Sequence, residues 1–563
     1  MRSKLITPDR AVLIGAIAAA LVYLQDLRYD FILDDIPLIL LNETITSWRN
    51  WKTVLVNHIF SETTRFSTLP MPVHYRPVYQ LWQMLNAQLF GLVLPWWHLT
   101  SLLLHMAAVL LVYQVGLKLV KERWTSALAA LLFAVHPIHA ESVAYVAAST
   151  DLLVTVFALV SFLAYFHFRE DGASPVYFAL SVLASALAMF SKETGVMIPW
   201  MLVAYEALPE TVPATERNWK RFLWTAPYFA VVGAYIAVRT VLFGWNTGSA
   251  SGSRLAAFLD IPLVLVTYLR NLFWPFQLSF FYPREWSSQW TLLKGVAAVV
   301  VIAAGVYLWR RYRLQSGVRL QLLWTGILFV PSLLGVFTFA HEDWVHDRHM
   351  YLVSVPISLV IAALLTYRRW PAKASVVGCS AILAILAVDL AVQVPRFKDE
   401  NSIYTSALKV APSSLLGHFD YGTALLNAGR KEEGLREYRI MTEIAPQAPE
   451  SHEYYAGTLA DVGRYDEALK EYQKALDLSE RSPGFHAYTL SRMAALELKL
   501  SEYQKASDHL REAVQLSPQA PDYYALLAQA LSSEGQTKEA EEATRVEAGL
   551  RQRVARERGT SRE

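Results

Sequence analysis

The chain has 563 residues, of which 54% are hydrophobic and 18% charged, and its mean hydropathy is +0.26. That balance excludes an ordinary soluble enzyme and points to a protein that lives largely in lipid. The charge is divided: the first 396 residues hold 30 Lys+Arg against 22 Asp+Glu, and the remaining 167 hold 21 against 27. A single cysteine, Cys379, in an apolar run, excludes a disulfide framework or a thiolate metal cluster built from this chain. Lys and Arg of the first part fall in short loops and form no basic face, so nucleic acid is set aside as a partner.

Runs of about the length that crosses a bilayer core as helix recur near 11–27, 98–118, 124–143, 151–168, 175–190, 195–208, 222–242, 291–309, 320–340, 350–366 and 374–393. These are eleven expected spans. The charged start followed by Ala11 to Leu24 lacks a small-x-small cleavage site, so it reads as a retained first span with a cytoplasmic N-terminus. Arg and Lys clusters at 118–123, 217–221, 310–319 and 368–373 mark cytoplasmic loops. Parity then closes if 258–278, interrupted by Arg270, Asn271 and Pro275, does not cross. The same bookkeeping places residues 26–78, 136–149, 191–195, 242–290 and 341–349, and everything after the last span, on the non-cytoplasmic side.

From residue 397 to 550 the apolar pattern turns helical-amphipathic and repeats. Pro412 to Pro446, Gly429 to Gly463 and Ser501 to Gly535 are each 34 residues apart, the tetratricopeptide period. Four repeats and a preceding half repeat are expected, with an insertion near 479–484 in the third and a charged tail at 551–563. Such an array binds protein or peptide by default. Its tyrosines, among them Tyr421, Tyr454, Tyr455, Tyr523 and Tyr524, read as packing between helices.

Ionisable residues at the ends of spans carry a burial cost, which makes them candidates for function. FILDDIPLILLN places Asp34 and Asp35 just past the first span, a pair suited to general-base work or a divalent ion, or to a helix cap. HYRPVYQLW carries Arg76, a phosphate ligand or an interfacial cation. LLFAVHPIHAESVAYVAASTDLL holds His136, His139, Glu141 and Asp151. His-x-x-His beside a carboxylate has metal-ligand chemistry, but Pro137 breaks the helix between the two rings, which favours a hydrogen-bonded network orienting a base or sugar. In AMFSKETG, Lys192 and Glu193 either neutralise one another or leave Lys192 for an anion. HEDWVHDRHMYL supplies Asp347, Arg348 and His349 on the same side, so cations converge where an anionic group with a lipid tail would sit.

Taken in order, the LDD of the first outer loop, YRPV, FAVHPIHAESVAY, the SKETG turn, RNLFWPFQLSFFYP, DRHMYL and the repeats resemble the transmembrane and tetratricopeptide repeat containing O-mannosyltransferases and their bacterial relatives, in the GT-C class of glycosyltransferases. The resemblance covers nearly the whole chain. It implies an all-α fold: a polytopic GT-C-like membrane bundle over 1–396, of about eleven spans, followed by a repeat α-solenoid over 397–550. It also implies transfer of a mannose-like sugar from a polyprenyl-phosphate carrier to protein Ser or Thr hydroxyls, in the cytoplasmic membrane of a bacterium or the endoplasmic reticulum of a eukaryote. Asp34 or Asp35 would take the acceptor proton, Asp34 first; Arg348, Lys192, Arg76 and Arg270 would serve the lipid phosphate; His136, His139, Glu141, Asp347 and His349 would orient sugar or base. The lipid-linked sugar is a co-substrate, the acceptor protein or peptide, further proteins at the repeats and membrane lipids are the partners, and no tightly bound metal is expected, although paired aspartates leave a divalent cation open. Two other readings stand beside this one. An O-antigen ligase or polymerase also joins many spans to lipid-linked sugars, but it keeps its key residues in a large late outer loop. A non-catalytic membrane scaffold would recruit partners through the repeats alone.

Overall fold

The computed structural model describes residues 7–59, 74–170, 174–209, 211, 218–244, 254–282, 316–337, 345–366 and 372–560, with isolated positions between 296 and 306. Most of the expected span 291–309, residues 341–344, and the loop arginines Arg217, Arg310, Arg311, Arg313, Arg368 and Arg369 lie outside the described residues. The described chain is all α, with no strand. It divides into two compact units, Met1–Pro412 and Ser413–Glu563.

In the first unit six helices are long and apolar enough to cross a membrane: Pro8–Arg28, Leu94–Leu119, Val146–Glu170, Trp219–Phe243, Gly317–Phe337 and Ser375–Phe397. A seventh forms if Arg123–Val135 and Pro137–Ala144, bent by 52° at their junction, are one span. The bend is the work of Pro137, which has no N–H to give and whose ring collides with the preceding turn. The helix Arg123–Val135 is the centre of the unit. It packs on Pro8–Tyr23, Leu94–Leu119, Ser354–Leu365 and Ala372–Gln393, and from Thr125 to Val135 only Leu131 is more than slightly exposed. Small residues such as Ser126, Ala127, Ala129 and Ala130 line it, which lets neighbouring backbones approach. Gly116 shows how close: a Cβ there would stand 2.9 Å from Ser126 Cβ. Burial grades outward, with 72% of the Val146–Glu170 window buried inside the protein against 11% for Trp219–Phe243 and for Ser375–Phe397.

Some expected spans are shorter than the sequence pattern suggested. Where 195–208 and 350–366 were expected to cross, the helices are Ile198–Ala207, of 10 residues, and Ser354–Leu365, of 12. Each is preceded by a 3-10 turn that carries charge, Glu193–Met197 and Asp347–Met350. The segment 258–278 forms the helix Arg254–Phe273, which holds Asp260, Pro262 and Arg270 and is not among the helices apolar enough to cross.

The second unit is four antiparallel helix pairs: Leu415–Asn427 with Lys431–Ile444, Pro449–Asp461 with Tyr465–Ser479, Pro483–Lys499 with Tyr503–Leu516, and Pro521–Ser533 with Thr537–Thr560. Gly429, Gly463 and Gly535 turn each pair at φ between +76° and +85°, a region open to residues without a Cβ. The third pair uses Ser501 at φ +62° instead. Its extra residues do not bulge near 479–484. They lengthen Pro483–Lys499 to 17 residues against 13 in Pro449–Asp461, close to one added helical turn, so the buried face keeps its register. Ala468, Tyr472, Leu476, Ala487 and Leu490 fill the space between pairs, and Tyr455 and Tyr523 pack against that core as the repeat pattern predicted.

Candidate active site

Two neighbouring aspartates meet different surroundings. Leu33 is held at φ +49°, left-handed backbone that costs a branched residue energy, and the turn separates the two carboxylates. Asp35 is fully buried. Its Oδ1 accepts the Ala147 N–H at 2.6 Å and its Oδ2 accepts the Ile32 N–H at 3.1 Å. Burial pushes its carboxyl up, and the two backbone donors pull it back. Asp35 is thus a clasp between the turn at 32–35 and the break before the helix Ser149–Glu170. Asp34 is partly exposed. Its backbone N–H donates to Tyr145 Oη at 3.0 Å, while its carboxylate has no hydrogen-bond partner among the described residues.

Three cations stand around this carboxylate's side of the bundle, each with its own anion. Arg348 donates from its guanidinium to Glu141 Oε1 at 2.5 Å and from its backbone N–H to Glu141 Oε2 at 3.1 Å. Lys192 Nζ lies 2.6 Å from both oxygens of Asp151. Arg76 grips Glu193 with Nε at 2.9 Å and a terminal nitrogen at 2.7 Å. The expected alternative in which Lys192 and Glu193 neutralise one another is not the arrangement found. Lys192 ends one helix at the Ser191 boundary and Glu193 begins the next turn, so their side chains leave in different directions.

The three pairs share one field. Arg348 is raised despite burial because Glu141, Tyr145, Asp34 and Asp151 surround it with negative charge or oxygen. Burial pushes the Lys192 ammonium down; Asp151 pulls it up, and Arg76 and Arg348 push it down again. His349 feels Lys192, Arg348 and Arg76 and faces the Tyr268 hydroxyl through Nδ1 at 3.2 Å. Arg348 is the most accessible of the three, its side chain 19% exposed against 7% for Lys192 and 14% for Arg76. Most of its guanidinium N–H donors are left for a ligand. The turn that holds Lys192 is tightly built: a Cβ on Gly195 would fall 2.7 Å from Met189 Cα.

The structure therefore brings together Asp34, Glu141, Arg348, Lys192, Arg76 and His349 from five separated stretches of sequence. The other candidates serve the frame. Asp347 accepts from Asn271 Nδ2 at 2.8 Å and from the Tyr282 hydroxyl at 2.9 Å, tying 270–282 to the DRHMYL segment, and burial together with Glu141 pushes its carboxyl up to about 8. His136 donates from Nε2 to the Leu272 carbonyl at 2.9 Å and accepts the Ile138 N–H at Nδ1, which caps the turn after Pro137. His139 is fully buried, packed on Phe133 and Tyr351 with ring centroids 4.4 and 4.7 Å away, and reaches Ser354 Oγ at 2.8 Å. Arg270 donates to Gln277 in its own segment at 2.8 Å. Among the described residues no three His, Cys, Asp or Glu side chains converge on a metal position. Tyr145 is a site residue that the sequence reading left without a role, and Asp151 and Glu193, named there, were not paired with Lys192 and Arg76. The signal for Tyr145 was its place at the end of FAVHPIHAESVAY, next to a helix break.

Residues 448–519 match the tetratricopeptide repeat family. A Caenorhabditis elegans protein named protein O-mannosyl-transferase is 26% identical over 446 residues, covering 76% of this chain and 62% of that protein. The mouse (Mus musculus) protein O-mannosyl-transferase TMTC4 is 26% identical over 502 residues, covering 77% of this chain and 66% of that protein. The chain thus spans somewhat under two thirds of the length of these two relatives. Among solved structures, a crystal structure of MamA protein aligns at 14% identity and a TM-score of 0.25, over 27% of this chain and 82% of that one. By sequence the chain is thus similar, over about three quarters of its length, to proteins named protein O-mannosyl-transferase.

Proposed function

We propose that this chain is a membrane glycosyltransferase that moves a mannose-class sugar from a polyprenyl-phosphate carrier to Ser or Thr hydroxyls of proteins on the non-cytoplasmic side. The observation that carries the reading is the free, partly exposed Asp34 carboxylate in the field of Arg348, itself neighboured by Lys192. The names of the relatives support the sugar and the acceptor class.

In this reading Asp34 accepts the proton of the acceptor hydroxyl as its oxygen attacks the anomeric carbon. The bond from that carbon to the phosphate oxygen breaks, its electron pair leaves with the lipid phosphate, and the sugar inverts. Negative charge grows on the leaving phosphate. Arg348, with N–H donors to spare, meets it first, and Lys192 and Arg76, already fixed by their own carboxylates, hold the field without reorganising. Glu141 keeps Arg348 aimed. The first outer loop supplies the base and the later turns supply the cations. The repeats bind the acceptor protein or a partner.

The test is transfer by the detergent-purified full chain from polyprenyl-phosphate mannose to Ser/Thr peptides. Wild type transfers sugar, and Arg348→Ala raises the donor KM by about tenfold, the equivalent of one charge-assisted hydrogen bond. No transfer by folded wild type from a panel of polyprenyl-phosphate sugars overturns the reading.

A further inference from the structure

Tyr145 stands between the two halves of this chemistry. It is 2% exposed and lies in the break between the helices Ala140–Ala144 and Ser149–Glu170, with extended backbone at φ −91°, ψ 111°. Its hydroxyl oxygen accepts the Asp34 N–H at 3.0 Å. The face of its ring lies under Arg348, with the guanidinium carbon 5.9 Å from the centroid. Two residues further on, the Ala147 N–H holds Asp35 at 2.6 Å. One short turn, 145–147, therefore grips the backbone or side chain of both aspartates, across a separation of 111 and 112 positions in sequence.

The strained Leu33 explains why such a grip is needed. A left-handed leucine relaxes unless its neighbours hold it, and on either side of it the holders are the Ile32 N–H bonded to Asp35 and the Asp34 N–H bonded to Tyr145. Without the Tyr145 hydroxyl the Asp34 amide loses its acceptor, and the backbone that carries the carboxylate loses an anchor. The ring does separate work, since a cation over an aromatic face is attracted to its quadrupole. Tyr145 contacts both the segment of Asp34 and Arg348.

We propose that Tyr145 is a positioning residue that sets the distance between the base, Asp34, and the leaving-group cation, Arg348, through its hydroxyl on one side and its ring face on the other. This rests on the glycosyl-transfer reading above. The two functions of the side chain can be separated by substitution. Tyr145→Phe keeps the ring and removes the hydroxyl, so kcat falls by about tenfold while the donor KM stays within about twofold. Tyr145→Leu removes both, so kcat falls and the donor KM also rises, by about fivefold.

The experiment measures kcat and donor KM for wild type, Tyr145→Phe and Tyr145→Leu, as purified full chains, with thermal melting of each recorded. A residue that only filled space would lower the melting temperature in both variants and would not split kcat from KM. The expected result is that split, with Phe restoring the donor KM that Leu loses. If wild type transfers sugar and Tyr145→Phe matches its kcat, the inference falls and the glycosyl-transfer reading stands. If wild type transfers no sugar, both fall. Should Tyr145→Leu fail to melt cooperatively, Tyr145→Met removes the ring face with a more adaptable side chain, and an unchanged donor KM there overturns the role given to the ring.

Discussion

At the scale of single residues, Asp34 and Asp35 show how a turn assigns chemistry. Both carry the same carboxylate and they are adjacent, yet Asp35 is closed off by two backbone N–H donors while Asp34 keeps its oxygens for a ligand. The pairing of Asp35 with Ala147 joins two segments distant in sequence, and losing it costs stability rather than chemistry. Asp35→Asn turns an amide N–H toward one of two fixed N–H donors, which leaves a buried donor without an acceptor, a cost of about 2 kcal/mol. A lower midpoint of thermal unfolding for Asp35→Asn is the expected outcome, with Asp34→Asn melting as wild type. Sequence reasoning found this pair but weighed its members nearly alike, because nothing in a dipeptide says that one of them will meet a backbone amide 112 positions away. The same limit applies to Lys192 and Glu193. Their adjacency suggested a mutual pair; the helix boundary between them sends each to another partner.

At the scale of elements, local rules were legible wherever a residue forces the backbone. Pro137 had to break its helix, and it does, at 52°. Repeat turns favour glycine, and three of four use it. The exception, Ser501, is held left-handed at φ +62°, where a Cβ costs roughly 1 kcal/mol that glycine does not incur. Ser501→Gly should therefore raise the stability of the repeat unit by about 1 kcal/mol, read as a rise of roughly 2–4 °C in the midpoint of its helical melting transition; an unchanged or lowered midpoint contradicts that view of the turn. Histidines were harder to read. The spacing of His136 and His139 invited a ligand or network role, yet one satisfies a carbonyl and caps a turn and the other lies in an aromatic box. Only the long-range partners, Leu272 and Ser354, decide between those uses.

At the scale of the whole molecule, hydropathy separated a membrane part from a repeat part but did not rank the membrane helices. All of them are apolar, and the difference between a central helix and a lipid-facing one lies in small residues and in polar groups that find partners inside. Tyr165, for instance, donates to the buried Glu206 at 2.6 Å, and Arg169 pairs with the same carboxylate at 3.0 Å, which knits Ser149–Glu170 to Ile198–Ala207. Length was legible only as an upper bound, since an apolar run can contain a charged 3-10 turn and a short helix instead of one crossing. The candidate site follows from this architecture. Turns at 33–35, 74–76, 141–151, 192–193 and 347–349 come from distant parts of the chain and meet because the helices behind them pack into one unit. Their convergence places the Asp34 carboxylate in the field of Arg348, which in turn shares its surroundings with Lys192 and Arg76.

The most direct measurement of that arrangement is sugar transfer to a Ser/Thr peptide by wild type and Asp34→Asn at equal folded concentration. The account predicts that Asn, the same size but unable to take a proton, lowers kcat by a factor of at least about 10² while the melting temperature and donor KM stay as in wild type. Transfer by Asp34→Asn at the wild-type rate would contradict it, and would remove Asp34 from the chemistry.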